Sequence, residues 1–296
     1  MVNNLALLGA PVDCTGRPGG TERAPTVLRQ LGLRESVKAR FDLNDLPVRI
    51  EGEARDPESG VKGAASVAAM TAIVRQSIAS ALLTGYQPLL IGGCCSIVMG
   101  AVAGARDRLG RVGLVYIDGH LDLYDGQTSP SGECADMPLA FMIGRGPHFL
   151  DGPMGVRQPI AEADVSLIGY RDRYLAEPAG SILPEDLGKD FHHYDVNNLR
   201  AVGFSAIGGE VLSRQTAGAN RYWLHLDWDV LDENSLPSAD YLMPNGFNWS
   251  ELIQLVRPLV KSPLMIGMST ACYNPDNDRD GSDGRRIIDA MGQLFQ

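Results

Sequence analysis

Two short stretches of this sequence carry side chains of the types that hold divalent metal ions. Leu114-Val115-Tyr116-Ile117-Asp118-Gly119-His120-Leu121-Asp122 is an apolar run ending in acid, imidazole, acid, which reads as a buried strand emptying into a metal site. Alternate strand residues face the same way, so Asp118, His120 and Asp122 are expected to converge while Gly119 and Leu121 point away. Two carboxylates and an imidazole suit an ion such as manganese or zinc. A polar strand end capping a neighbouring helix is the alternative. The stretch from Tyr222 to Asp232 repeats the pattern, with His225, Asp227 and Asp229 sharing a face. Buried carboxylates without cations are costly, and four exceed what one cation requires, so a two-metal centre is expected.

The elements that must position these residues follow an alternation of strand-like and helix-like segments, the pattern of an α/β protein with a mainly parallel sheet. Strands are expected at 4–9, 87–93, 165–170 and 264–269, and helices at 62–83, 97–108, 250–260 and 285–294. Pro25 begins a helix in its first turn, and 42–60 reads as polar and irregular. Ligands bind at the carboxyl ends of parallel strands, so Cys95, just after Gly92-Gly93, should lie on the same side as Asp118 and Asp227. The 296 residues, 44% hydrophobic and 21% charged, are expected to form one domain over 1–296. A net charge of -10 argues against nucleic acid or an anionic membrane as partner. No apolar run is read as membrane-spanning, and no signal sequence opens the chain. Five cysteines, an odd number in a long chain, fit a reducing compartment better than a disulfide framework, so a cytoplasmic protein is expected.

Taken together, several motifs resemble the manganese ureohydrolases, the family that includes arginase, agmatinase and formiminoglutamase. They are Gly9-Ala10-Pro11 with Gly19-Gly20 and 25–29, the Gly92-Gly93-x-x-Ser96 turn, Asp118-x-His120-x-Asp122, Asp227-x-Asp229, and Asn274-Pro275. The resemblance implies a three-layer α/β/α sandwich, two manganese ions, and a trimer or hexamer. It implies that Asp118 and Asp227 bridge the metals, with Asp122 serving one and His120 with Asp229 the other. The implied reaction is hydroxide attack on a guanidinium or related amidine carbon, releasing urea or an analogue.

Departures from the family pattern fall on the remaining ligand and on the substrate apparatus. Cys94-Cys95 stands where the family has aspartate then histidine, so Cys95 is either a thiolate ligand or a small packing residue. As a ligand it makes the site softer, with zinc, cobalt or iron more competitive against manganese. In 131–138 the family's catalytic histidine is replaced by Ala135, and near the C-terminus its guanidinium-pairing glutamate by Cys272. Cys94, Cys134 and Cys272 read as packing or as reactive thiols. Glu133 and Asp136 are candidate substrate anchors or a solvated loop face, and Asp172 is a candidate amino-group contact. His192 and His193 read as surface residues. His225, two residues before Asp227, either orients a metal-bound carboxylate or transfers a proton. The expectation is a two-metal hydrolase of a guanidino, hydroxyguanidino or amidino compound that handles arginine poorly. A single-metal amide or deacetylase-type hydrolase and a non-catalytic relative are the alternatives.

Overall fold

Strands buried on both faces need helices on both sides, and every strand near the middle of this sheet is apolar on both. The computed structural model describes residues 4–296. Its eight strands are β1 (Leu5–Ala10), β2 (Phe41–Asp45), β3 (Gln87–Gly92), β4 (Gly113–Ile117), β5 (Val165–Ile168), β6 (His192–Tyr194), β7 (Tyr222–Asp227) and β8 (Met265–Ala271). They form one parallel sheet in the order β2-β1-β3-β8-β7-β4-β5-β6. The last strand in the chain therefore lies in the middle, between β3 and β7.

Side chains alternate across the sheet with period two. Leu8, Leu90, Leu114, Tyr116 and Trp223 join a core on one face, packed by helices Ala64–Leu83 and Ile97–Leu109. Leu7, Leu89, Ile91, Val115, Ile117, Leu224 and Leu226 join a second core on the other. There they meet helices Ala24–Gln30, Phe204–Ala217, Trp249–Lys261 and Ser282–Phe295. The architecture is thus the expected three-layer α/β/α sandwich. Local signals agree with it: Pro25 lies in the first turn of its helix, and Asn248 and Glu251 cap each other's backbone N–H groups at 3.0 and 2.8 Å.

Four expectations change. The segment read as irregular contains β2, whose partly exposed residues suit an edge strand with one neighbour. His192 and His193 are half-buried on edge strand β6 rather than at the surface, and the Tyr170 hydroxyl lies 2.9 Å from His193 Nδ1. The helix Ala64–Leu83 is long and apolar enough to cross a membrane, but here Val67, Met70, Val74 and Ile78 bury its inner face against the core. Cys94, read as a packing residue or a reactive thiol, forms a disulfide with Cys14, against the expectation drawn from the odd cysteine count. Pairing of Ala10 with Gly92 brings the loop after β1 beside the turn after β3, a proximity invisible at a separation of 80 residues.

Candidate metal centre

Strands β3, β4, β7 and β8 stand side by side in the sheet, and the residues at their carboxyl ends line one cavity of about 190 Å³. Cys95 comes from the turn after β3, where Gly93 permits close approach: a Cβ there would stand 1.7 Å from the Val12 carbonyl oxygen. The Cys95 thiol donates to the Ala135 carbonyl at 3.1 Å. Asp227 ends β7, and Cys272 follows β8 with its N–H on the Gly93 carbonyl at 2.6 Å.

Asp118, His120 and Asp122 do reach this cavity, but not by strand alternation, because β4 stops at Ile117. They lie on the following loop. The Asp118 N–H still bonds to Ile168 at 3.0 Å, and Asp118 Oδ1 accepts the His120 N–H at 2.7 Å. The chain then turns through a left-handed residue at Asp122, with φ 53°. Asp229 likewise lies beyond its strand, in a short helical turn whose N–H bonds Asp227 Oδ1 at 2.9 Å. His120 Nδ1 is 3.0 Å from Asp229 Oδ2, and Asp229 Oδ1 accepts the Gly119 N–H at 3.0 Å. Behind them Arg171 donates to the carbonyls of Asp229, Leu231 and Met243 at 2.8, 3.1 and 3.1 Å, fixing the loop after β7.

Three groups of potential ligand atoms lie within 4.8 Å of one another: Asp118, His120 and Asp229; Cys95, Asp227 and Cys272; and Asp118, His225 and Asp227. Asp122 lines the cavity without joining a group, its Oδ2 accepting the Tyr116 hydroxyl. Asp118 Oδ2, Asp227 Oδ2 and His225 Nε2 are buried with no hydrogen-bond partner, which is costly unless a cation or water completes them.

Electrostatics point the same way. Burial, with the Asp229 charge, raises the Asp118 carboxyl to about 7. Burial and neighbouring acids also push Asp122 and Asp227 well above the carboxylate range. Burial works to raise Asp229 too, but His120 and Arg171 hold it below its ordinary value. Burial opposes the His120 charge, yet Asp229 and Asp118 raise it well above the usual histidine value. The Cys272 contact favours the Cys95 thiolate, but burial and the surrounding acids push that thiol upward overall.

His225 is enclosed between its sheet neighbours, Tyr116 on β4 and Ser269 on β8. The Trp223 indole N–H donates to Ser269 Oγ at 2.9 Å, and His225 Nδ1 lies 2.8 Å from the same oxygen. Ser269 Oγ can donate to Nδ1 or accept from it, according to the tautomer, and Nε2 is buried without a partner among the described residues. Burial lowers the His225 pKa to about 3.

Asp136 and Asp172 line the cavity. Asp136 is held by the Ser129 and Ser131 hydroxyls at 2.5 and 2.6 Å, Asp172 by the Leu121 N–H at 3.1 Å. Glu133 is set back from it, paired with Lys62 at 2.9 Å and accepting the hydroxyl of Tyr241, which does line it, at 2.5 Å. Sequence reasoning missed Tyr116, Ser269, Tyr241 and the proximity of Cys272 to Cys95. The last had a signal, since both cysteines follow parallel strands.

A model of the arginase family matches residues 3–293. The chain is 25% identical to the arginase of Bacillus caldovelox over 98% of its own length and 97% of that protein. It is 26% identical to the arginase of Bacillus subtilis (strain 168) over 100% and 98%. The solved native structure of Bacillus caldovelox arginase superimposes with a TM-score of 0.87 at 23% identity, covering 99% of this chain and 98% of that one.

Proposed function

The chain belongs to the arginase family, and from that footing we propose that it is a two-metal hydrolase opening a non-peptide carbon–nitrogen bond of a small guanidino, hydroxyguanidino or amidino compound. The cavity supports this reading. Six aspartates line it, with no lysine or arginine among the described lining residues, so it favours a cation beyond the metals themselves. Its volume of about 190 Å³ is below the range of roughly 300–1,000 Å³ typical of drug-sized ligands, which suits a small substrate.

The residues fit two divalent ions. The orphaned oxygens of Asp118 and Asp227 need a positive partner, and the neighbouring acids repel one another without one. Asp118, His120 and Asp229 would hold the first ion and Asp227 with Cys95 the second, with Asp118 and Asp227 between the two and Asp122 beside the second. Such ions supply Lewis acidity and a hydrolytic nucleophile at neutral pH. The chain's own side chains do the rest. Asp136 and Asp172 draw the positive end of the substrate inward, and Glu133 fixes the Tyr241 phenol at the cavity wall. His225, held by Ser269 and grouped with Asp118 and Asp227, would orient their carboxylates; its neutral, buried state favours this positioning role over proton transfer.

Manganese at the first position, a cytoplasmic location, a single domain over 1–296 and a homo-oligomer of three or six chains belong to the same reading. A reducing compartment would keep Cys95 a thiol. Cell fractionation and light scattering test the location and the oligomer. The central experiment measures urea or ammonia release from a panel of guanidino and amidino compounds after loading with manganese, zinc or cobalt. Release that Asp118→Asn abolishes is expected, and no release with any metal would refute the function. Asp118, His120 and Asp229 form a complete group by themselves, which favours a single-metal amide hydrolase as the second reading. One metal per chain, with amide but no guanidino turnover, would select it.

A further inference from the structure

We infer that Cys272 is itself a metal ligand, so that the second position is a dithiolate site for a thiophilic ion such as zinc while the first remains a manganese-type site. The inference rests on the two-metal reading above. β3 and β8 are paired neighbours, with Ile91 opposite Thr270, so their ends deliver Cys95 and Cys272 side by side. The Cys272 N–H bond to Gly93 ties the two strand ends together, and Cys272 holds a left-handed backbone with φ 67°. Both sulfurs lie within 4.8 Å of each other and of an Asp227 oxygen. Ligands of a tetrahedral zinc at about 2.3 Å stand about 3.8 Å apart, so closure requires little movement.

The independent observation is Asp227. Its Oδ1 is used by the Asp229 N–H, while Oδ2 is buried and without a partner. Two thiols alone are compatible with packing; two thiols facing an unpartnered buried carboxylate are a ligand set. Thiolates favour zinc over manganese, whereas Asp118, Asp229 and His120 offer oxygen and nitrogen. The centre would therefore hold two different metals. Binding converts both thiols to thiolates, so the thiols contribute two protons to those released for each ion bound there.

The test uses full-length protein isolated under reductant, stripped of metal and reloaded with cobalt, then with zinc and manganese in competition. Wild type should show the sulfur-to-cobalt charge-transfer band, release one proton more per chain than either single-cysteine variant, and retain one zinc and one manganese. Cys272→Ser, close in size, should roughly halve the band, release one proton fewer than wild type, and lower zinc affinity by more than about 100-fold, since even an outer partner of a ligand is worth about 10–100-fold. Cys95→Ser should behave alike, and circular dichroism checks that each variant is folded. If Cys272→Ser misfolds, Cys272→Ala with the same readouts replaces it. An unchanged band and unchanged proton release in the folded variant would overturn the inference while leaving the two-metal reading standing. A Cys95–Cys272 disulfide in the reduced preparation would overturn it as well. Failure of wild type to bind any metal would overturn both.

Discussion

In the metal-free protein, Asp118→Asn should be stabilising, increasingly so as pH rises. Burial and Asp229 raise the Asp118 carboxyl from 3.8 to about 7. The folded state then holds this proton more tightly than the unfolded state, so stability from the group is present at low pH and lost as pH rises from about 4 through about 7. The loss amounts to about 4 kcal/mol, large against a total stability of roughly 5–15 kcal/mol. The wild-type curve alone would hide it. His225, lowered to about 3, contributes stability that grows over pH 3–6.5 and opposes the trend. His225 is common to both proteins, so the difference between variant and wild type removes its contribution and reports Asp118 together with the neighbours whose shifts it causes. Urea unfolding in chelator at intervals from pH 4 to 8 should show the difference growing by about 4 kcal/mol in favour of Asp118→Asn. Manganese at 100 times its Kd should narrow the difference by about 2.7 kcal/mol, because it stabilises only the protein that binds it. A difference that stays flat across this range would refute the electrostatic account of the cluster.

Ser269→Ala removes the shared partner of Trp223 and His225 and should cost roughly 2–6 kcal/mol, about 1–3 for each buried group left alone. It should also weaken metal binding by about 10–100-fold by releasing the His225 ring; thermal melts and metal titration check the two effects. Gly93→Ala drives a Cβ into the Val12 carbonyl, so the variant should lose metal at the second position or fail to fold, and wild-type stability with full metal content would contradict this. L-arginine should be turned over poorly, since the family resemblance puts Cys272 where a carboxylate would pair with the guanidinium, a bond worth about 1.5–3 kcal/mol. Ordinary enzymatic turnover of arginine in a urea-release assay would show that another acid has taken over.

The legible parts of the fold were those fixed by local pattern. Apolar runs located the central strands, and apolar spacing located the helices at 64–83, 97–109 and 249–261 to within two residues. β2 and β6 escaped because edge strands with one neighbour need little apolar patterning. At the site, residue type named the acids and His120, but the reason given for their convergence was wrong: Asp118 to Asp122 meet through a loop with a left-handed turn, which period-two reasoning cannot see. The Cys14–Cys94 bond, the Cys95–Cys272 proximity and the Ser269–His225 contact depend on which strands are neighbours, a property of topology.

Strand order also governs when the centre can exist during synthesis. The ribosome releases the chain from its N-terminus, and domains fold as their parts emerge. The last strand made is β8, yet it occupies the slot between β3 and β7. Until Met265–Ala271 leaves the exit tunnel, no strand pairing joins the half of the sheet bearing Cys95 to the half bearing Asp118 and Asp227. Cys272 and the pairing that sets it beside Cys95 and Asp227 are thus missing from the centre on the nascent chain until β8 has emerged.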